Sequence, residues 1–448
     1  MVKKEGLNLK ENKKRVDLRF SFAYSGKGWV KAYKTNYCNC FDGALRCEVG
    51  YGLFLNSDSS YAQIKLSNLS GIYKMRIFNE TKKTYSHRLV YTTTTGWAYQ
   101  HSATGNSYSS IVNLGTYSYG VPFYGKDRHM HMGLFGTTKC ILLSDGFVQT
   151  DLGLQTAYGA GCYYKDRLFV GIKPSAIAYS SPDDPSDFAE TVNGGGRIYF
   201  PAELGEVVSI LPFDGTLYAF FEHGIVRLDV GGTPKEFRTE RIGYTNGKIF
   251  WKTVCAGNGY VFFLSNEGLN RFDGKKAELI LQEAVIKPSA SEGKECAASW
   301  NGGAIIRYRT AWSTYNLLYV SADGKDCFYS ADAEAMTGGD MGEVLFRRNT
   351  SVANLVAGVS SRGLAQFRAS TDFGVKGRKR LKKLIFDAEG EFSVSVESKN
   401  VIMSKDLLVE ENGLTEVELP LYGEEFLLTI YLYSGAVIRG MTAELNVF

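Results

Sequence analysis

The amino-acid sequence predicts an all-β chain, built as a β-propeller of about seven blades with a small C-terminal β-sandwich. Three observations lead there. The composition holds 28 Tyr, 27 Phe and 49 Gly against 9 Pro, which suits short strands and tight turns and does not suit long helices. A glycine-punctuated hairpin recurs along the chain. Near residue 370 the chain changes character, passing through a basic strip into an acidic, alternating segment.

The recurrence is clearest between Gly215-Thr-Leu-Tyr-Ala-Phe-Phe221 with Gly224-Ile-Val-Arg-Leu-Asp229, and Gly259-Tyr-Val-Phe-Phe-Leu-Ser265 with Gly268-Leu-Asn-Arg-Phe-Asp273. Gly215, Gly224, Arg227 and Asp229 each meet an identical residue 44 positions on (259 − 215 = 44). Each copy is an apolar run of strand length, a short polar turn and a second alternating strand, which reads as a β-hairpin. Glycine at the turn is expected to supply the positive φ of a two-residue loop. Weaker echoes lie at Ser144 to Thr150 and Arg362 to Phe367, and Arg167 to Val170 with Ala176 to Tyr179 fits the same hairpin. A unit of this size holding four strands is one propeller blade. The sequence therefore divides into an N-terminal arm with entry strands (1–49), a propeller (50–370), a basic linker strand (371–383) and a sandwich (384–448). Two β-sandwiches in series are the alternative the same strands could build.

Length and composition set the class. The chain has 448 residues, 44% hydrophobic and 22% charged, enough to bury a large core and unlike a disordered chain. A net charge of +4 is too mild to argue by itself for nucleic acid. Residues 1–20 are studded with charge and hold no apolar core segment, so no secretory signal is expected. No apolar run reaches the ~18 residues of a membrane span. Cytoplasmic synthesis without membrane insertion is the expectation.

Sites for chemistry are sparse. Cys38, Cys40 and Cys47 lack the paired C-x2-C spacing of structural zinc and have no nearby histidine, so reduced thiols on a strand pair are expected. His129 and His131 share a strand spacing compatible with two metal ligands, but a site needs a third. Asn193-Gly-Gly-Gly-Arg197 fits no phosphate-loop pattern. No G-x-S-x-G elbow is present. Ser370-x-Asp372-x-Gly374 matches part of the aspartate box of sialidase propellers, without the Thr-Trp that should follow. Asp183, Asp184 and Asp187 are the carboxylates a glycosidase would require. With Pro182 and Pro185, however, they read as a rigid turn-rich loop, suited to docking. The expectation is a protein that is not an enzyme and needs no metal or cofactor. A carbohydrate-active or glycan-binding propeller acting on a host surface is the alternative.

The basic strip holds Lys376, Arg378, Lys379, Arg380, Lys382 and Lys383, six cations in eight positions. It is the candidate contact for DNA or another anionic partner. Residues 384–448 then carry 12 acidic and 3 basic side chains, a net of 3 − 12 = −9. Adjacent opposite charges suit docking of one subunit on another.

Taken in order, three segments resemble the tail nozzle or tail hub (packaged-DNA stabilisation) proteins of short-tailed bacteriophages. They are Asn36 to Arg46 with Gly50-Tyr51, the Ala178 to Phe188 loop, and Val207 to Phe221. The basic strip and acidic module are similar to that family's C-terminal module. What the resemblance implies is a structural virion protein of the tail, assembled in the bacterial cytoplasm. It would form a homo-oligomeric ring, a hexamer by the same resemblance, that continues the DNA channel and docks portal, adaptor and other tail proteins. Cys38, Cys40 and Cys47 are not part of the family's pattern.

Overall fold

A computed structural model describes residues 12–21, 29–31, 34–36, 38–41, 44–47, 53–57, 65–79, 81–101, 108–182, 184–191, 194–282, 295–300, 302–309, 315–320, 326–329, 335–338, 344–348, 351–357, 364–433 and 435–448. They fall into two units, one drawn from Leu55–Ala322 with Ala331–Val356, the other from Met1–Phe54, Asp323–Ser330 and Ala357–Phe448. Among the described residues no helix is long and apolar enough to cross a membrane.

The first unit is a β-propeller. Its innermost strands are Leu69–Asn79, Tyr119–Tyr124, Gly161–Tyr164, Val207–Phe213, Cys255–Ala256, Cys296–Trp300 and Ala335–Gly338. Each packs beside the next and the last beside the first, which closes a circle. Among the described residues, six of these strands open four-stranded sheets. The strand Cys296–Trp300 opens a sheet that continues through Gly303–Arg309 and Tyr315–Val320. The sheet begun by Ala335–Gly338 takes its outer strand, Leu53–Ser57, from the far end of the sequence.

The recurring hairpin is the middle pair of strands in a blade. Thr216–Phe221 pairs with Gly224–Asp229, and Val261–Ser265 with Gly268–Phe272. Their unbroken apolar runs have a physical cause, because both faces of a blade are covered. Leu217, Ala219 and Phe221 join Phe169 and Ile177 of the preceding blade. Tyr218 and Phe220 join Val261, Phe263 and Phe272 of the following one. Each such Leu, Ile, Val or Phe side chain contributes about 1.5–3 kcal/mol by leaving water.

Of the two turn glycines, Gly268 has the expected positive φ (136°) and Gly224 does not; in the first copy positive φ falls one turn earlier, at Asp214 (47°) and Gly215 (69°), in the two-residue loop between Phe213 and Thr216. Gly224 is instead pressed against the Leu204 side chain and leaves no room for a Cβ. Gly120 likewise faces the buried Tyr73 ring, whose carbons would lie 2.9–3.0 Å from an added Cβ.

The second unit is built on one long hairpin, Lys379–Ser398 with Val401–Gly423. Register shifts at Leu381/Lys383 and Ala388/Gly390 interrupt it. Before the second shift Lys379–Ser398 pairs with Val437–Val447, and beyond it with Phe426–Tyr433. Leu364–Thr371 extends the latter side and Asn12–Ser21 the former. Between them lie Leu384, Phe386, Phe392, Val394, Leu428, Ile430 and Met441, all buried.

These pairings redraw the expected boundaries. Residues 12–21 are an integral strand of the C-terminal unit and not an arm. Residues 379–383 open its longest hairpin and are not a linker. Leu364–Thr371 belongs to the same unit, so the echo there is not a blade. Two-residue alternation reveals a strand but not its partner.

Gly120→Ala should cost about 1–3 kcal/mol by overpacking the Tyr73 contact, since φ at Gly120 is not in the left-handed region. Thermal unfolding checks this, and an unchanged midpoint would show that the two blades do not meet there.

Candidate functional site

The innermost strands surround a cavity of about 390 Å³ on the propeller axis. All seven contribute, through Tyr73, Tyr119, Cys162, Ile210, Cys255, Ala298 and Met336 among others. Its wall mixes apolar and aromatic side chains with Ser70, Ser209, Ser299 and Lys252, and among the described residues no aspartate or glutamate lines it.

The segment Phe250 to Thr253 crosses this axis ahead of the blade it introduces. Trp251 Nε1 donates to Gly159 O at 2.8 Å, and Tyr117 and Tyr158 rings stand 5.3 and 6.4 Å from the indole. Lys252 O accepts from Ala297 N at 2.8 Å, while Lys252 Nζ donates to Ser70 O at 2.6 Å and lies 4.4 Å from the Trp251 ring centroid. Two consecutive residues therefore tie three separate blades across the axis. Thr253 Oγ1 fixes the turn by donating to Phe250 O at 2.7 Å and accepting from Leu264 N at 3.1 Å.

Burial pushes the Lys252 amine down to about 7, because a charge inside an apolar wall loses its hydration. Burial also drives the Cys162 and Cys255 thiols upward, the latter to about 12, so both stay protonated. Outside the cavity, Glu222 accepts from Tyr158 OH at 2.8 Å and pairs with Lys248 at 2.6 Å. Burial opposes the Glu222 charge, but those bonds and the Glu206 N–H hold its carboxyl below the usual range.

The expected site residues are placed elsewhere. Asp183 lies outside the described residues. Asp184 Oδ1 accepts from Ser186 N and Oγ at 2.8 and 2.6 Å, and Asp187 Oδ1 from Ala189 N at 3.0 Å. Both carboxylates thus fix the turns between Asp184 and Ala189, and neither lines the axial cavity. Asp372 Oδ1 does the same for Gly374 N at 2.8 Å. His129 and His131 do not converge, since their rings meet Asp145 and Asp127, each at 2.8 Å. Among the described residues no group of three His, Cys, Asp or Glu side chains could hold a metal. Cys38 and Cys47 are register partners on adjacent strands, with Cys40 on the same strand as Cys38.

The basic strip is divided by its strand. Lys376 and Arg378 are exposed, but Lys379 is fully buried and donates to Gly377 O and Glu424 O. Arg380 lies 5.4 Å from the Tyr422 ring centroid. Lys383 pairs with Glu416 at 2.7 Å and Glu444 at 3.7 Å, and Lys382 is half-buried. The six cations do not form one face for an anionic partner, because strand geometry sends alternate residues to opposite sides.

Sequence reasoning missed Trp251 and Lys252. Their segment carries no motif, and its place across the axis follows only from ring closure. A lone Trp-Lys pair gives no signal in one dimension.

Two outcomes follow. Between about pH 7 and the ordinary lysine range the unfolded chain holds a proton that folded Lys252 lacks, so this group makes stability rise with pH. Lys252→Met should flatten that rise, measured by denaturant unfolding at about pH 7 and about pH 9.5. Lys379→Ala should cost about 1–3 kcal/mol by orphaning two carbonyls, whereas Lys376→Ala should change stability by less than about 0.5 kcal/mol. Equal effects would contradict the buried placement of Lys379.

No protein-family model matches the chain, and no curated protein matches it. Among solved structures it is similar to a streptogramin B lyase, at 14% identity over 68% of this chain and 98% of that one, with a TM-score of 0.46. A virginiamycin B lyase from Staphylococcus aureus gives 10% identity over 68% and 99%, with a TM-score of 0.45. BamB from Moraxella catarrhalis gives 10% over 68% and 97%, with a TM-score of 0.36. The propeller itself is established by the sheet order and ring closure described above.

Proposed function

We propose that the chain is a structural assembly protein, a tail component of the nozzle or hub type in a bacteriophage virion, whose copies join through the C-terminal unit. The observation that carries this reading is the open edge of strand Val401–Gly423. Among the described residues it pairs with Lys379–Ser398 on one side and with no strand on the other. Ile402, Leu408 and Leu414 on it are 62%, 69% and 77% exposed. A long free edge with apolar side chains is a template for another chain.

Charge favours a second copy as that chain. The edge strand carries Asp406, Glu410, Glu416 and Glu418 against Lys405, while Lys376 and Arg378 are exposed elsewhere on the same unit. An acidic edge meeting a basic turn is a head-to-tail contact, and such contacts close into rings when the rotation permits. Docking of neighbouring tail proteins, and passage of DNA through that ring, belong to the same reading.

Sedimentation of the full chain tests it. Wild type should associate in low salt and dissociate as salt rises, and Leu408→Arg should remain monomeric while keeping the wild-type unfolding midpoint. A wild type that stays monomeric at its highest workable concentration, and ignores every tail component offered, would overturn it.

A further inference from the structure

Apart from any role in association, the propeller axis holds an amine inside a cavity. Lys252 is a wall residue of the 390 Å³ space, and among the described residues no carboxylate shares that wall with it, the Cys296 thiol being the titratable side chain beside it. Its Nζ meets a backbone carbonyl, Ser70 O, and an aromatic face, Trp251. Buried ammonium groups are ordinarily paired with an anion. Here the surroundings instead favour the neutral amine, in line with the drop of Lys252 to about 7.

We propose that the axial cavity is a binding site for a small, flat aldehyde or ketone, which Lys252 holds reversibly as an imine. The Lys252 nitrogen lone pair attacks the carbonyl carbon to give a carbinolamine. The carbonyl oxygen then leaves as water with the two amine protons, and a C=N bond replaces C=O. No oxidant, reductant or metal enters the balance, and hydrolysis returns both partners.

The wall selects this chemistry over a carboxylate. A carboxylate entering the cavity would lose water from two oxygens and find one ammonium, already engaged by Ser70 O, as its charged partner. A neutral carbonyl carries no such cost, and the faces of Tyr119 and Trp251 with Met336 suit a flat apolar body. Desolvated lysine amines are the ones that form such adducts.

The test is reductive trapping on the full chain. Benzaldehyde with cyanoborohydride at about pH 7, followed by peptide mass spectrometry, should modify Lys252 at least about tenfold more than any surface lysine. Lys252→Arg should lose that adduct alone. Labelling of Lys252 in the unaltered protein should level off above about pH 7, while surface lysines keep gaining toward about pH 10. Modification of Lys252 no faster than the surface lysines, or a Lys252 profile that rises with theirs, would overturn the proposal even if Lys252→Arg failed to fold.

Discussion

Burial of both faces of every blade is the constraint on which the propeller depends. A blade such as Thr216–Phe221 with Gly224–Asp229 is apolar on alternate sides. Leu217 and Phe221 require one neighbour, and Tyr218 and Phe220 require another. An open row of such sheets would leave two apolar faces in water, so the arrangement is satisfied only when the row closes. Packing at the closed contacts is tight enough that Gly120 and Gly224 are needed for space.

Closure also creates the axis, and the segment Phe250 to Thr253 shows what the chain does with it. Polar backbone groups at the inner ends of the blades need partners. Gly159 O and Ser70 O obtain them from Trp251 and Lys252. The same two side chains that satisfy these carbonyls leave an amine poor in hydration beside empty volume. Structural necessity and chemical potential arise from one pair of residues. The second unit solves its edges differently, bending a hairpin at register shifts so that one strand serves two sets of neighbours. Its partner strand is left with a free edge.

Much of the fold was legible because strand alternation and hairpin recurrence are local properties. The repeat beginning at Gly215 and Gly259 located two blades correctly. The fourth strand of the final blade was not legible, because Leu53–Ser57 pairs far along the sequence. Nor was the membership of Asn12–Ser21, for the same reason. Glycine was read as a conformational device at Gly224, where the structure shows a spatial one. The carboxylates of Asp184 and Asp187 carried the composition of a site, but backbone amides two residues away claimed them. Lysines in a basic run looked equivalent until the strand buried Lys379 and left Lys376 in solvent. The axial residues had no local signature at all.

The strand Leu53–Ser57 has a consequence for how the chain is made. It leaves the ribosome long before Ser351–Ala357, the strand it must join. About 300 intervening residues enlarge the closure entropy only logarithmically, so waiting is thermodynamically cheap. It is exposed in time, however, because an early strand without its mate can pair wrongly with any passing edge. Completion of the disc is therefore tied to completion of translation through its last blade.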